Sequence, residues 1–182
     1  MKGNGVKGRI KAWWVMAALV LAMPTLVEAQ DDVVGIPVGA TPPAVTIEDL
    51  DGHPVALSRW VGKKPVIVEF WATWCPICAE LLPRMEAARK KYGDRAEFLV
   101  IAVAVNQSTS TVRRHLARHP MPFTFLWDGN GAAVRAFQAP ATSYVAVLDA
   151  KGNVVYTGIG ADQDLDTALA RALVPARRIR RN

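Results

Sequence analysis

Val66-Ile67-Val68-Glu69-Phe70-Trp71-Ala72-Thr73-Trp74-Cys75-Pro76-Ile77-Cys78 joins an apolar, β-branched run to two cysteines separated by two residues. The run, with Pro65 before it, is short and bounded by Gly62 on one side and the cysteines on the other, which reads as a buried central strand. Pro76 suits the first position of a helix, where its missing N–H has no intrahelical partner to lose. The spacing predicts a helix from Pro76 to about Tyr92, stopped near Gly93. Glu97–Val105, EFLVIAVAV, is a second buried strand, and a helix between two such strands makes a βαβ unit with parallel pairing.

Outward from this unit the pattern continues. Ala44–Leu50 and His53–Leu57 flank Asp51-Gly52, a hairpin signal. Ser108–His119 reads as a helix capped by Ser/Thr, Met121–Trp127 as a short strand, and Ala132–Phe137 as a short helix after the D-G-N-G turn at 128–131. Ser143–Leu148 and Val154–Gly158 read as an antiparallel hairpin whose turn places Gly152 at positive φ. Asp164–Leu173 is a closing helix with acids in its first turn. The sum is an α/β fold, a central mixed β-sheet flanked by helices with an N-terminal β-hairpin.

The chain of 182 residues, 51% hydrophobic and 21% charged, suits one modest globular domain and excludes both intrinsic disorder and a cysteine-rich mini-protein. The net charge of +6 sits at the ends. Residues 30–174 carry 14 Lys/Arg against 15 Asp/Glu, so no basic groove for nucleic acid is expected. Residues 1–29 have a basic start, an apolar run from Ala12 to Val27 broken by Pro24, and Val27-Glu28-Ala29 with small outer residues, the layout of a secretory signal or, if uncleaved, a membrane anchor. The apolar run is shorter than the ~20 residues that span a bilayer comfortably. Residues 30–43 read as a linker, 44–174 as the folded domain, and 175–182 as a basic C-terminal tail. Export places the cysteines in an oxidising compartment.

Cys75 falls at or before the first turn of the predicted helix, where unpaired N–H groups and the helix dipole favour a thiolate. Cys78 lies nearly one turn further on the same face, within reach of Cys75. A redox-active dithiol is the reading these positions favour. A structural disulfide remains open, although so small a loop restricts the unfolded chain little. A zinc clip would need two more ligands, and His53, His115 and His119 form no second pair of obvious spacing. Copper delivery by the same soft thiolates stays open as a second function, as does a pair of inert core cysteines. No resident metal or other cofactor is read from the sequence.

This block, with Pro83 five residues past Cys78 and DLDGHPVALSRWVGKKP before it, resembles the thioredoxin superfamily and looks like its exported TlpA/ResA-like branch, over about Ala44–Leu173. The resemblance implies a thioredoxin-like fold, a nucleophilic Cys75, a resolving Cys78 and a helix kinked at Pro83. Glu69, six residues before Cys75, matches a buried acid of thioredoxins; burial would raise its pKa and let it shuttle the Cys78 proton. On strand alternation alone, Glu69 could equally lie on a solvated face or against Lys63 or Lys64. Trp71 and Trp74 flank the cysteines, and Trp74 and Pro76 are expected to line a substrate groove.

The superfamily places a cis-proline opposite the cysteines, and counting back from Asp149 and Gly152 lands on Ser143. Either an insertion makes Pro140 the cis residue, or Ser143 holds the place with a trans peptide and lines the groove with Thr142. The ~2.5–4 kcal/mol cost of a cis bond before a non-proline residue favours a trans peptide at Ser143. The implied protein is an extracytoplasmic thiol–disulfide oxidoreductase that exchanges with disulfide or thiol proteins, as in cytochrome c maturation, and is reduced by a membrane electron donor. It contacts no nucleic acid, and touches a membrane only if its first segment is uncleaved.

Overall fold

A computed structural model describes residues 34–174; the signal or anchor segment 1–29, residues 30–33 of the linker and the tail 175–182 lie outside the described residues. Seven strands form one sheet: β1 (Thr46–Asp49), β2 (Pro54–Ala56), β3 (Val66–Trp71), β4 (Glu97–Val103), β5 (Thr124–Asp128), β6 (Tyr144–Leu148) and β7 (Val154–Gly158). Their order across the sheet is β2-β1-β5-β4-β3-β6-β7. The pairs β3/β4 and β4/β5 are parallel and the rest antiparallel, so the sheet is mixed. Four helices cover it: α1 (Pro76–Tyr92), α2 (Thr109–Arg118), α3 (Ala132–Ala136) and α4 (Leu165–Ala172).

Both faces of the sheet are covered, which explains the unbroken apolar runs. On one face Leu81, Met85 and Tyr92 of α1 and Leu165 and Leu169 of α4 pack on Ile67, Phe98, Val145 and Val147. On the other, Val112 of α2 and Ala133 and Ala136 of α3 pack with Val66, Val68, Phe70, Ile101 and Tyr144. Every residue of β3 and β6 is buried. The parallel run β3-β4-β5 forms the centre, and α1 leaves from the end of β3, so the cysteines stand at the C-terminal edge of the central strand.

The local devices are sequence-encoded. Ser108 accepts from the Thr111 backbone N–H and Asp164 from that of Thr167, capping α2 and α4. Asp149 Oδ1 accepts from the backbone N–H groups of Lys151 and Asn153, and Gly152 takes φ +87°, closing the β6–β7 turn. Strand β5 starts at Thr124 rather than Met121, because Pro122 has no N–H for a ladder and the parallel pairing with β4 begins at Leu99 opposite Thr124.

Residues 34–43, read as linker, are packed against the domain. Ile36 is buried, and its N–H donates to Phe137 O at 3.0 Å and to the Tyr144 hydroxyl at 3.2 Å. Gly39 N donates to Val154 O at 2.7 Å, and Val154 N to Ala40 O at 2.8 Å, which straps the segment to the start of β7. Gly35 has φ +77° and lies where a Cβ would collide with the Tyr144 ring.

Candidate active site

Strand β3 delivers the chain into Ala72-Thr73-Trp74, and Cys75 becomes the N-cap of α1 with Pro76 in the first turn. Cys75 and Cys78 are joined as a disulfide, their Cα atoms 5.3 Å apart. The Cys78 N–H donates to Cys75 Sγ at 3.1 Å, one of the orphan donors of the helix start aimed at the sulfur. The same donor, with the dipole behind it, favours a Cys75 thiolate once the bond is opened. Both sulfurs are largely covered: Cys75 is 7% exposed and Cys78 1%.

The loop before Cys75 is held by a residue not singled out from the sequence. Gln107 Oε1 accepts from both the Thr73 N–H and the Thr73 hydroxyl at 2.9 Å, while Gln107 Nε2 donates to Val103 O at 2.7 Å. Trp74 lies beside it, 46% exposed, its indole N–H donating to Val105 O at 2.7 Å. Trp74, Ile77 and Val105 form an exposed apolar rim beside the disulfide, and Pro76 is exposed with them. Trp71 is a core residue, edge-on to the rings of His115 and Phe125.

Glu69 is buried. In a sheet with both faces covered, strand alternation moves a side chain from one helical layer to the other and never into water, so the solvated alternative does not arise. Its ladder neighbours are Val100 and Val145. Lys64 pairs with Glu97 instead of reaching it. Glu69 Oε1 has no hydrogen-bond partner, and burial pushes its pKa up from 4.5 to about 8. A cavity of about 60 Å³ lies beside it, lined by Glu69, Cys75, Cys78, His115, Met121 and Phe123 among others.

The loop before β6 departs from one of the two arrangements expected. No cis peptide bond occurs among the described residues, so Pro140 is not a cis-proline, and it is exposed on the surface. Ser143 is the buried residue, at φ +62°. Its N–H donates to Phe70 O at 2.8 Å, its Oγ accepts from Gly160 N at 3.2 Å, and its carbonyl accepts from Gln163 Nε2 at 3.0 Å. Three tertiary bonds on one residue hold it in the left-handed region. Thr142 is partly buried beside it. Gln163, also not singled out from the sequence, is the buried clamp of this loop, bonding Gly160 O and the Tyr156 hydroxyl as well.

Among the described residues no group of three or more His, Cys, Asp or Glu is placed to hold a metal ion. No described helix is long and apolar enough to cross a membrane.

A CxxC disulfide capping the helix that leaves a central parallel strand, over a buried carboxyl, defines a thioredoxin-fold thiol–disulfide oxidoreductase. The comparisons agree. The Redoxin family model matches residues 37–173, and the chain belongs to that family, within the ResA-like branch of the thioredoxin superfamily. The thioredoxin-like protein YneN of Bacillus subtilis is 33% identical over 70% of this chain and 74% of its own length. The thiol-disulfide oxidoreductase ResA of Geobacillus kaustophilus is 27% identical over 74% of this chain and 77% of its own. A crystal structure of a Chlorobium tepidum protein proposed to be the thiol:disulfide interchange protein DsbE superposes with TM-score 0.67 at 24% identity, covering 76% of this chain and 99% of that one. Proteins of this family act on thiols and disulfides of partner proteins.

Proposed function

We propose that the protein is exported and reduces disulfides of extracytoplasmic partner proteins, as in cytochrome c maturation, with a membrane donor restoring its dithiol. The observation that carries the mechanism is the shared cavity in which Glu69, unpartnered at Oε1, lies alongside both cysteines. In the reduced protein the Cys75 thiolate attacks a partner disulfide, and one partner sulfur leaves as thiolate. Cys78 then gives its proton to the Glu69 carboxylate and attacks Cys75 Sγ. The Cys75–partner bond breaks, the second partner thiolate leaves, and the protein retains the Cys75–Cys78 disulfide after giving up two electrons. The pKa of about 8 fits a carboxyl that keeps this proton in the disulfide state at neutral pH. Trp74, Ile77 and Val105 supply an apolar rim for the partner's flanking residues, and Thr142 is the partly exposed residue that the loop before β6 offers a partner, with Ser143 buried behind it. The basic, apolar and small-residue layout of residues 1–29 supports export.

Two measurements test this. Cys75→Ser should abolish disulfide exchange, and Cys78→Ser should accumulate mixed disulfides with exported proteins; full activity in Cys75→Ser would sink the mechanism. A reduction potential near that of thioredoxin, about −270 mV, fits a reductant, whereas one near −120 mV would make the protein an oxidant.

A further inference from the structure

Glu69 is walled in by core residues, yet a base must be emptied of its proton before it can take another. Besides Glu69 and the cysteines, His115 is the one titratable side chain among the described residues that lines the cavity. It stands on α2, which Val112 anchors in the core. Its ring is edge-on to Trp71 with centroids 5.3 Å apart, and 5.0 Å from the ring of His119. His115 is half-buried and His119 exposed, so the titratable groups run in order from interior to surface: Glu69, His115, His119. A cavity of about 60 Å³ has room for water between the first two.

We propose that His115, backed by His119, is the proton outlet of the Glu69 cavity. The proton leaving Cys78 Sγ goes to Glu69 and then through cavity water to the His115 imidazole and solvent. One S–H bond breaks, an O–H bond forms and breaks in turn, and an N–H bond forms on His115 until solvent takes the proton. No electrons move in the relay. This rests on the reading of Glu69 as the base for Cys78.

The charges around His115 suit the task. Glu69 faces it from β3 and the cysteines from the start of α1, while Arg118 at the end of α2 and His119 just after it are its other titratable neighbours. The loop before β5 and β5 itself offer only Met121, Phe123 and Phe125. Burial first, then His119 and Arg118, lower its pKa, so the ring is neutral and able to accept at pH 7, and an imidazolium formed there is pushed to release. Glu69, with its pKa near 8, is mostly protonated at that pH and needs such an outlet before it can serve.

The test uses the reduced full-length protein mixed rapidly with excess Ellman's reagent. Attack by Cys75 releases a first aromatic thiolate, and resolution by Cys78 releases a second in a phase independent of reagent concentration. His115→Phe, which keeps an aromatic ring against Trp71, should slow the second phase about tenfold near pH 7. The deficit should shrink above about pH 8.5, where Glu69 is already ionised without the outlet. Free imidazole should restore the rate in His115→Gly. An unchanged second phase at pH 7 would overturn the proposal, as would equal slowing at every pH without imidazole rescue, which marks a packing role. Glu69→Gln separates the layers. If it resolves at the wild-type rate, the base reading falls and the outlet with it. If Glu69→Gln is slow while His115→Phe is not, only the outlet falls.

Discussion

Gln107 holds Thr73 from 34 residues away, one carbonyl oxygen accepting from both its backbone N–H and its hydroxyl at 2.9 Å. The grip fixes the turn two residues before Cys75, so that sulfur is placed partly by the loop after β4. Gln107→Leu leaves the partly buried Thr73 N–H and hydroxyl without their acceptor. We expect a loss of about 1–3 kcal/mol in the disulfide form. Urea unfolding measures it, and an unchanged midpoint would show that water replaces the amide at no cost.

Glu69 makes stability pH-dependent in a direction opposite to a salt-bridged acid. Its folded pKa of about 8 lies above the unfolded 4.5, so the folded state keeps a proton that the unfolded state gives up. The cost is absent below pH 4.5, grows between 4.5 and 8, and is constant above. Relative to Glu69→Gln, the wild-type disulfide form should lose on the order of 4 kcal/mol across that window. Denaturant titrations at its two ends decide it; parallel curves for the two proteins would place the ionised carboxylate in contact with water.

Asp128 ends β5 and caps α3, accepting from Ala133 N at 3.2 Å and Val134 N at 2.9 Å while only 1% exposed. Asp128→Ala strands two donors at the start of a five-residue helix. A loss of about 1–3 kcal/mol is expected in thermal or chemical unfolding, with Asp128→Asn recovering part of it through its one remaining oxygen.

Ser143 is buried at positive φ in the loop before β6. Ser143→Pro would force φ from +62° to near −65° and remove the N–H bonded to Phe70 O. The variant should be destabilised by about 3 kcal/mol or more, whereas Ser143→Gly, which accepts positive φ, should fall far less. A Ser143→Pro protein as stable as the parent would mean that this loop readily adopts another backbone path.

The fold was legible because its strands are continuous apolar runs with turn residues between them, and because Cys-Pro-Ile-Cys marks a strand-to-helix junction. The resemblance singled out Glu69 as a buried acid, whereas strand alternation alone left a solvated face open, since alternation predicts such a face only where a sheet has one. Gln107 and Gln163 were illegible: a glutamine in a loop carries no local signal, and their partners Thr73 and Ser143 lie 34 and 20 residues away. Asp128 was readable in principle, an acid in a turn just before a helix. The segment from Val34 to Pro43 misled because its glycines and prolines signal a linker, while Ile36 among them is a core residue.

That segment has a consequence for solution behaviour. Strand β7 ends the sheet, and Gly39 and Ala40 occupy the backbone groups of Val154 that would otherwise face outward. An open strand edge is a template on which other chains can add. A chain trimmed to begin at Thr41 would carry its cysteines and all seven strands, yet lose Ile36 from the core and uncover the outward groups of Val154, lengthening the template that β7 offers, so that it would self-associate more readily than the longer chain.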